Sequence, residues 1–371
     1  MPADRPIPVI DLFAGPGGLG EGFAALGRPE GTPRFMVRLS IEKDPTAHQT
    51  LELRAFFRQF PHGQAPMQYY QHIRGQLSRR ELFDAFPDQA CAARSQAWHK
   101  ELADPADAEV RRRIRRALGG ADNWVLIGGP PCQAYSLAGR SRNRGRKDYN
   151  PAADPRQFLY RNYLRILADH RPPVFVMENV KGLLSATLHN QRIFDRILHD
   201  LHSPVRGLHY RICSLVSDGM FADGELTDFV VRAERYDVPQ ARHRIILLGI
   251  RDDLRGVTPG RLRARPATVA AGKVLDGLPK LRSGLSNGHD GDDAWIECLR
   301  DAPNRRWFKG AARVAGAAVC DVIDRTVQEL ALPPHGRGRE FIEHDIACQH
   351  RPEWFGPIRD NVEDCQLVLR Q

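Results

Sequence analysis

Cysteine is scarce and scattered in this 371-residue sequence: seven residues, an odd number, with no CxxC pair. That argues against a disulfide framework and predicts a reducing, cytoplasmic setting. His344, Cys348 and His350, with Cys365 further on, lie close in sequence, yet without a CxxC pair they do not read as a zinc site. No apolar run approaches the ~20 residues of a membrane span, and the opening MPADRPIPVI lacks the regions of a signal peptide. There is no internal repeat and no low-complexity tract, which excludes a solenoid architecture.

What the sequence does hold is enough apolar material for a real core, with 42% hydrophobic and 27% charged residues. Its formal net charge of +9 suggests a polyanionic partner. Candidate strands fall at 8–14, 35–42, 123–129, 174–179, 210–216 and 244–250. Helix-like stretches lie between them at about 17–27, 45–58, 156–169 and 190–202. Buried-type strands alternating with helices predict an α/β fold built on a doubly wound, mostly parallel sheet. Residues 84–118 read as a polar, Arg- and Ala-rich helical insertion. Its RRRIRR run (111–116) reads as a solvated face rather than a nucleic-acid contact. After residue 255 the periodicity fades, so residues 1–255 are expected to form one domain and 256–371 a linker and smaller irregular region.

VIDLFAGPGGLGEGF begins as a strand, breaks into glycines and re-enters as a helix. Such a turn lets backbone approach a ligand at the carboxyl edge of a sheet. Glu42 ends the next strand, where a carboxylate can accept hydrogen bonds from both hydroxyls of a ribose. A nucleoside-bearing cofactor follows. The turn reads as lacking both the GxxxxGK[ST] lysine and the GxGxxG spacing of dinucleotide sites, so S-adenosyl-L-methionine, which carries no phosphate, suits it better. Phe13 either packs in the core or lies edge-on to an adenine or a sulfonium.

Cys132 sits after GGPP at the end of a short apolar strand, Glu178 ends the next strand, and QARHR (240–244) leads into the last. In an open sheet such strand ends share one crevice. A thiolate and a proton-sharing carboxyl suit addition to C6 of a cytosine, which makes C5 nucleophilic. Taken in order, DLFAGPGG, GGPPCQAYS, MENVKGL and VPQARHR resemble the successive blocks of the DNA (cytosine-5) methyltransferases, bacterial type, over residues 8–252. The stretch at 154–167 resembles the helix before that family's ENV strand, and LPKLRSGLS (279–287) its linker towards a recognition domain.

The resemblance implies a methyltransferase-type, Rossmann-like fold, with DNA (cytosine-5-)-methyltransferase activity on a flipped base in double-stranded DNA. It further implies a setting such as restriction–modification. By position, Cys132 would be the nucleophile and Glu178 the N3 partner, while Arg244 would hold the base with Arg242 and Asn179 in support. Phe13, Ala14, Gly15, Gly17, Gly18, Glu42, Lys43 and Pro130 would line the cofactor site. Gln133, Ser136, Arg140, Arg142, Arg144, Arg146 and Lys147 would meet DNA on a closing basic loop.

Three departures from the pattern stand out. No GNAV-like block and no RExARLQ-like block is present, and QHIRG (71–75) supplies no carboxylate for the third cofactor block. Three explanations compete: a truncated gene product, a split enzyme in which a second polypeptide supplies target recognition and the missing blocks, or a relic that binds without turnover. In each, the helix starting near Gly17 (Leu19, Phe23, Leu26) would lack part of its cover. An RNA methyltransferase and a regulatory subunit without turnover are the alternative readings.

Overall fold

The computed structural model describes residues 5–27, 32–61, 64–102, 107–131, 159–188, 191–217, 229–275, 279–308, 310, 316–338 and 342. Two units divide the chain, one formed by Met1–Ala65 and Phe83–Ala271, the other by Pro66–Leu82 and Gly272–Gln371.

The first unit is built on a sheet in which the six apolar runs all form strands, joined by two short ones, Ala97–His99 and Val230–Arg232, that the sequence pattern did not predict. In chain order they are β1 (Ile7–Leu12), β2 (Phe35–Glu42), β3 (Ala97–His99), β4 (Val125–Gly128), β5 (Val174–Val180), a small hairpin of β6 (Thr187–Leu188) and β7 (Gln191–Arg192), then β8 (Tyr210–Cys213), β9 (Val230–Arg232) and β10 (His243–Arg251). The main sheet runs β3-β2-β1-β4-β5-β10-β8, with β9 also paired to β10 and the β6–β7 hairpin separate. All pairs from β3 to β5 are parallel, and β10 enters antiparallel between β5 and β8. Helices α1 (Gly18–Ala25), α2 (Pro45–Phe57), α3 (Pro87–Gln96), α4 (Ala108–Leu118), α5 (Leu159–His170) and α6 (Ile193–His202) accompany it.

The strands' alternation sorts two cores. Ile10, Leu12, Leu39 and Ile41 pack with α4, α5 and α6 through residues such as Ile114, Tyr163 and Phe194. Val9, Val37, Val125 and Ile127 pack on the opposite face, with Leu19 and Phe23 of α1 half-buried against them and Leu26 50% exposed. With apolar side chains on both faces, the sheet is doubly wound, as the sequence pattern predicted. Because β1 connects outward to β2 on one side and neighbours β4 on the other, the order reverses between β1 and β4. Beyond the carboxyl ends of those two strands lies the crevice where such sheets bind ligands.

The insertion at 84–118 is not helical throughout. After α3 the chain forms β3, which pairs with β2 (Ser40 with Ala97, Glu42 with His99) before α4 begins. Asp107 caps α4 by accepting from Glu109 N and Val110 N. Within α4, Val110 and Ile114 are buried while Arg112, Arg115 and Arg116 are exposed. Arg113, however, is half-buried with its guanidinium 4.5 Å from the centre of the Trp98 ring.

The second unit holds short helices at Met67–Ile73, Asp292–Arg300 and Ala317–Gln328 and a buried Arg282. Its guanidinium pairs with Asp290 and Asp292, and Arg337 joins Asp290. The pairing holds the Asp290 carboxyl below its ordinary range.

Candidate functional site

The glycine turn leaves β1 through three left-handed residues, Phe13 (φ 55°), Gly15 (φ 57°) and Gly17 (φ 91°). Glycine takes this region freely, whereas for Phe13 it costs roughly 1–2 kcal/mol. Two things hold the strained turn. Ala14 N donates to Ile41 O at 3.0 Å, and Phe13 packs partly against the core. The main tie is Glu42, at the end of β2, whose Oε2 accepts from Gly15 N and whose Oε1 accepts from Asp44 N, each at 2.7 Å. A carboxylate fixed this way keeps lone pairs free for further donors. Gly17 is tightly enclosed, since a Cβ there would come 2.9 Å from Leu51 Cδ1. Contrary to the sequence reading, the glycines do run Gly15-x-Gly17-x-x-Gly20, the GxGxxG spacing, and the third of them packs the helix onto the strand: a Cβ on Gly20 would lie 2.8 Å from Asp11 Oδ2.

Beside Glu42, the end of β3 supplies a group that the sequence did not point to. Lys100 N donates to Glu42 O at 2.9 Å. His99 Nε2 lies 2.8 Å from Lys43 O, and Lys43 pairs with Glu101 at 2.9 Å. QHIRG, by contrast, belongs to the second unit, where Gln71–Ile73 end a helix. The signal for β3 was only the three residues AWH, too short for any periodicity to register.

The other half of the site forms where β4, β5 and β10 meet. Because β10 is antiparallel to β5, its first residues lie at the carboxyl end of β5, with Arg244 opposite Val180 and Ile246 opposite Glu178. Arg244 Nε lies 2.6 Å from Glu178 Oε1. That nitrogen still lacks an aligned hydrogen bond, so charge rather than a directed N–H holds the contact. A second nitrogen of Arg244 donates to its neighbour's carbonyl, His243 O, at 2.9 Å. His243 in turn contacts Glu234 Oε1 at 2.8 Å.

The exit of β4 closes on the same carboxyl. A Cβ on Gly129 would stand 3.2 Å from Glu178 Oε2, so only a glycine leaves that oxygen undisturbed. The buried Asn179 donates from Nδ2 to Pro130 O at 3.2 Å, and its Oδ1 accepts from Val180 N at 2.8 Å. Glu178, Asn179, Arg244 and Pro130 are thus brought together. Arg242 is exposed and makes no ion pair among the described residues. Cys132, Gln133, Ser136, Arg140, Arg142, Arg144, Arg146 and Lys147 lie outside the described residues, as do His344, Cys348, His350 and Cys365. No helix among the described residues is long and apolar enough to cross a membrane.

Residues 96–278 match the model of the family described as C-5 cytosine-specific DNA methylase. The chain is 28% identical over 303 residues to the Type II methyltransferase M.Bpa9945I of Bacillus paralicheniformis, covering 76% of this chain and 62% of that protein. It is 37% identical over 163 residues to the DNA (cytosine-5-)-methyltransferase M.ApeKI of Aeropyrum pernix, covering 42% of this chain and 34% of that protein. The chain therefore spans between a third and two-thirds of the length of these relatives. A crystal structure from E. coli, provisionally identified as a DNA modification methyltransferase encoded within a prophage, aligns with a TM-score of 0.45 at 22% identity, over 76% of this chain and 58% of that one.

Proposed function

Since the chain belongs to the C-5 cytosine-specific DNA methylases, we propose that it moves a methyl group from S-adenosyl-L-methionine to C5 of a cytosine flipped out of double-stranded DNA. The observation that carries this reading is the Arg244–Glu178 pair, 2.6 Å apart beside the exit of β4. Cytosine O2 and N3 are both bonded to C2 and share one edge of the base, so a guanidinium and a carboxyl this close match them together.

In this reading Cys132, one residue beyond Pro131 in sequence, adds to C6 as a thiolate and pushes electron density to C5. Glu178 shares a proton with N3, which withdraws charge from the ring as the adduct forms. Arg244 holds O2, and Asn179 fixes the Pro130 carbonyl so that the turn leading to Cys132 stays against Glu178. Loss of the C5 proton and departure of the thiolate then restore the ring.

The cofactor fits the β1–β2 end of the crevice. Glu42, already fixed by Gly15 and Asp44, would accept from the ribose hydroxyls, and the Phe13–Gly18 turn with Lys43 and Pro130 would hold the rest. We assign the end of β3, around His99 and Glu101, the place of the third cofactor block. Bound there, the cofactor supplies an electrophilic methyl group. Arg140, Arg142, Arg144, Arg146 and Lys147, with Gln133 and Ser136, would close on the DNA strand. The Type II names of the relatives favour a modification role beside a restriction endonuclease.

The test is a covalent trap with a duplex containing 5-fluorocytosine and added cofactor. Wild type should yield a stable protein–DNA adduct, and Cys132→Ser should yield none. Equal trapping by both, or methyl transfer to tRNA in preference to duplex DNA, would overturn the reading.

A further inference from the structure

Directly beneath the glycine turn lies a group that this chemistry does not use. Asp11 of β1 is completely buried, and neither carboxyl oxygen has a hydrogen-bond partner among the described residues. Two more buried polar atoms there are equally unsatisfied, Ser40 Oγ and Arg58 Nε. The backbone brings Ser40 beside Asp11, and Arg58 acts on the same carboxyl electrostatically. The register between β1 and β2 slips after Val9, pairing Val9 with Val37 but Ile10 with Leu39, so Arg38 is the extra residue. That bulge brings Ser40 opposite Asp11, with both side chains turned towards α1.

An ionised Asp11 would have no counter-ion of its own. Arg58, at the end of α2, acts on it electrostatically, but that guanidinium already pairs with Glu21 of α1 at 2.8 Å and donates to Gln96 Oε1 at 3.1 Å. Glu21 is also approached by Arg54 at 3.5 Å. Glu42 at the end of β2 repels a negative charge on Asp11, and Tyr163 of α5 senses the same group. Burial dominates and pushes the Asp11 carboxyl up to about 8, with Arg58 opposing and Glu42 adding to the rise. A buried carboxyl without a partner is costly when charged, and much less so as a hydrogen-bonding acid.

We propose that Asp11 is a positioning residue of the cofactor turn: it acts as a neutral acid, bridged by one buried water to Ser40 Oγ and Arg58 Nε, and its ionisation loosens the turn. Four polar atoms are enough to hold one water. The route to the turn is short. Gly20 sits so close that a Cβ would meet Asp11 Oδ2 at 2.8 Å, and Gly20 lies in the first turn of α1, two residues after Gly18. Charge on Asp11 draws it towards Arg58 or water, and α1 cannot stay packed on it unchanged. The effect on the cofactor rests on the S-adenosyl-L-methionine reading above, whereas the proton site itself does not.

The sign of the pH dependence follows from linkage. The folded pKa lies above the unfolded one, so the native state binds more protons, and stability from this group falls as pH rises towards about 8 and levels off beyond it. The experiment measures thermal stability of the ligand-free chain and its Kd for S-adenosylhomocysteine from pH 6.5 to 9.5, in wild type and Asp11→Asn. The amide copies a neutral acid in shape and charge. Wild type should lose stability and about ten-fold in affinity across the range, while Asp11→Asn should bind like wild type at pH 6.5 and stay flat. Infrared difference spectra at pH 6.5 should show a protonated-carboxyl band that Asp11→Asn removes.

Identical pH profiles for the two proteins, or an absent carboxyl band, would overturn the proposal. So would a folded Asp11→Asn that binds weakly at every pH, since that result requires the ionised group. If wild type binds no S-adenosylhomocysteine at any pH, the cofactor reading fails, and the stability profile and infrared band still decide the state of Asp11.

Discussion

Arg244 Nε lies 2.6 Å from Glu178 Oε1 as a diagonal cross-strand pair, displaced by two residues on the same face of β10 and β5. The side chains are 22% and 32% exposed, and ion pairs so open to water contribute under about 1 kcal/mol. The pair is therefore better suited to placing a base than to holding the fold. Glu178→Gln should lower single-turnover methyl transfer by about 10²-fold or more, the usual scale for a lost proton-sharing group, and leave cofactor affinity unchanged. Arg244→Ala should act in the same direction with little change in melting temperature. Calorimetric cofactor titration beside the kinetics checks both, and an equal loss in binding and turnover would make Glu178 structural.

How much of this arrangement was legible beforehand differs from element to element. The long apolar runs of β1, β2, β4, β5 and β10 announced themselves because strands buried on both faces read as continuous hydrophobic sequence. Their carboxyl ends then placed Glu42 and Glu178 correctly. Direction is different: nothing in the periodicity of HRIILLGIR says that β10 runs against β5, yet that reversal is what sets Arg244 beside Glu178. The edge strand β3 was hidden by its length, and the GxGxxG spacing that ends at Gly20 was misread as absent because Gly18 and Gly22 crowd the same turn. The buried pairing of Asp11 with Ser40 depends on a one-residue bulge, which no single strand encodes.

Glu42 links cofactor binding to the order of the turn. Its two oxygens accept Gly15 N and Asp44 N at 2.7 Å, and hydrogen bonds to a charged group contribute about 1.5–3 kcal/mol each. Glu42→Ala should therefore weaken cofactor binding at least about ten-fold and also lower the ligand-free melting temperature. Glu42→Gln keeps one acceptor oxygen and should fall between. An Ala variant that titrates with unchanged cofactor affinity would remove Glu42 from the site.

Close backbone approach makes two strand glycines irreplaceable. A Cβ on Gly128 would stand 2.6 Å from Leu12 O and 3.1 Å from Tyr163 Cε2, and one on Gly249 would fall 2.0 Å from Phe175 Cε1. The Leu12 carbonyl belongs to the neighbouring strand and cannot yield, whereas the Phe175 ring is a side chain that can be exchanged. Gly128→Ala and Gly249→Ala should each cost about 1–3 kcal/mol by overpacking. Adding Phe175→Leu should recover part of the loss at Gly249 and none at Gly128. Chemical denaturation of the four proteins checks this, and the outcome that counts against it is equal rescue at both glycines.

The basic run on α4 divides into two partly buried arginines, Arg111, which pairs with Asp169 at 3.7 Å, and Arg113, and three exposed ones. Arg113 lies 4.5 Å over the Trp98 ring and donates from Nη2 to Ser95 O at 3.1 Å, which ties α4 to β3 and to the end of α3. A partly desolvated cation–π contact with one hydrogen bond contributes about 1–2 kcal/mol, so Arg113→Ala should destabilise the chain by that amount. Arg112, Arg115 and Arg116 face solvent. Changing these three to Gln should cost little beyond the helix-dipole contribution of the last turn, about 0.3–1 kcal/mol. If α4 merely presents a solvated face, the triple variant should also leave the salt dependence of DNA binding as it is in wild type. Each phosphate contact adds roughly 0.9 to the slope of log K against log salt. A slope smaller by about 2–3 in the triple variant would instead run the DNA across α4.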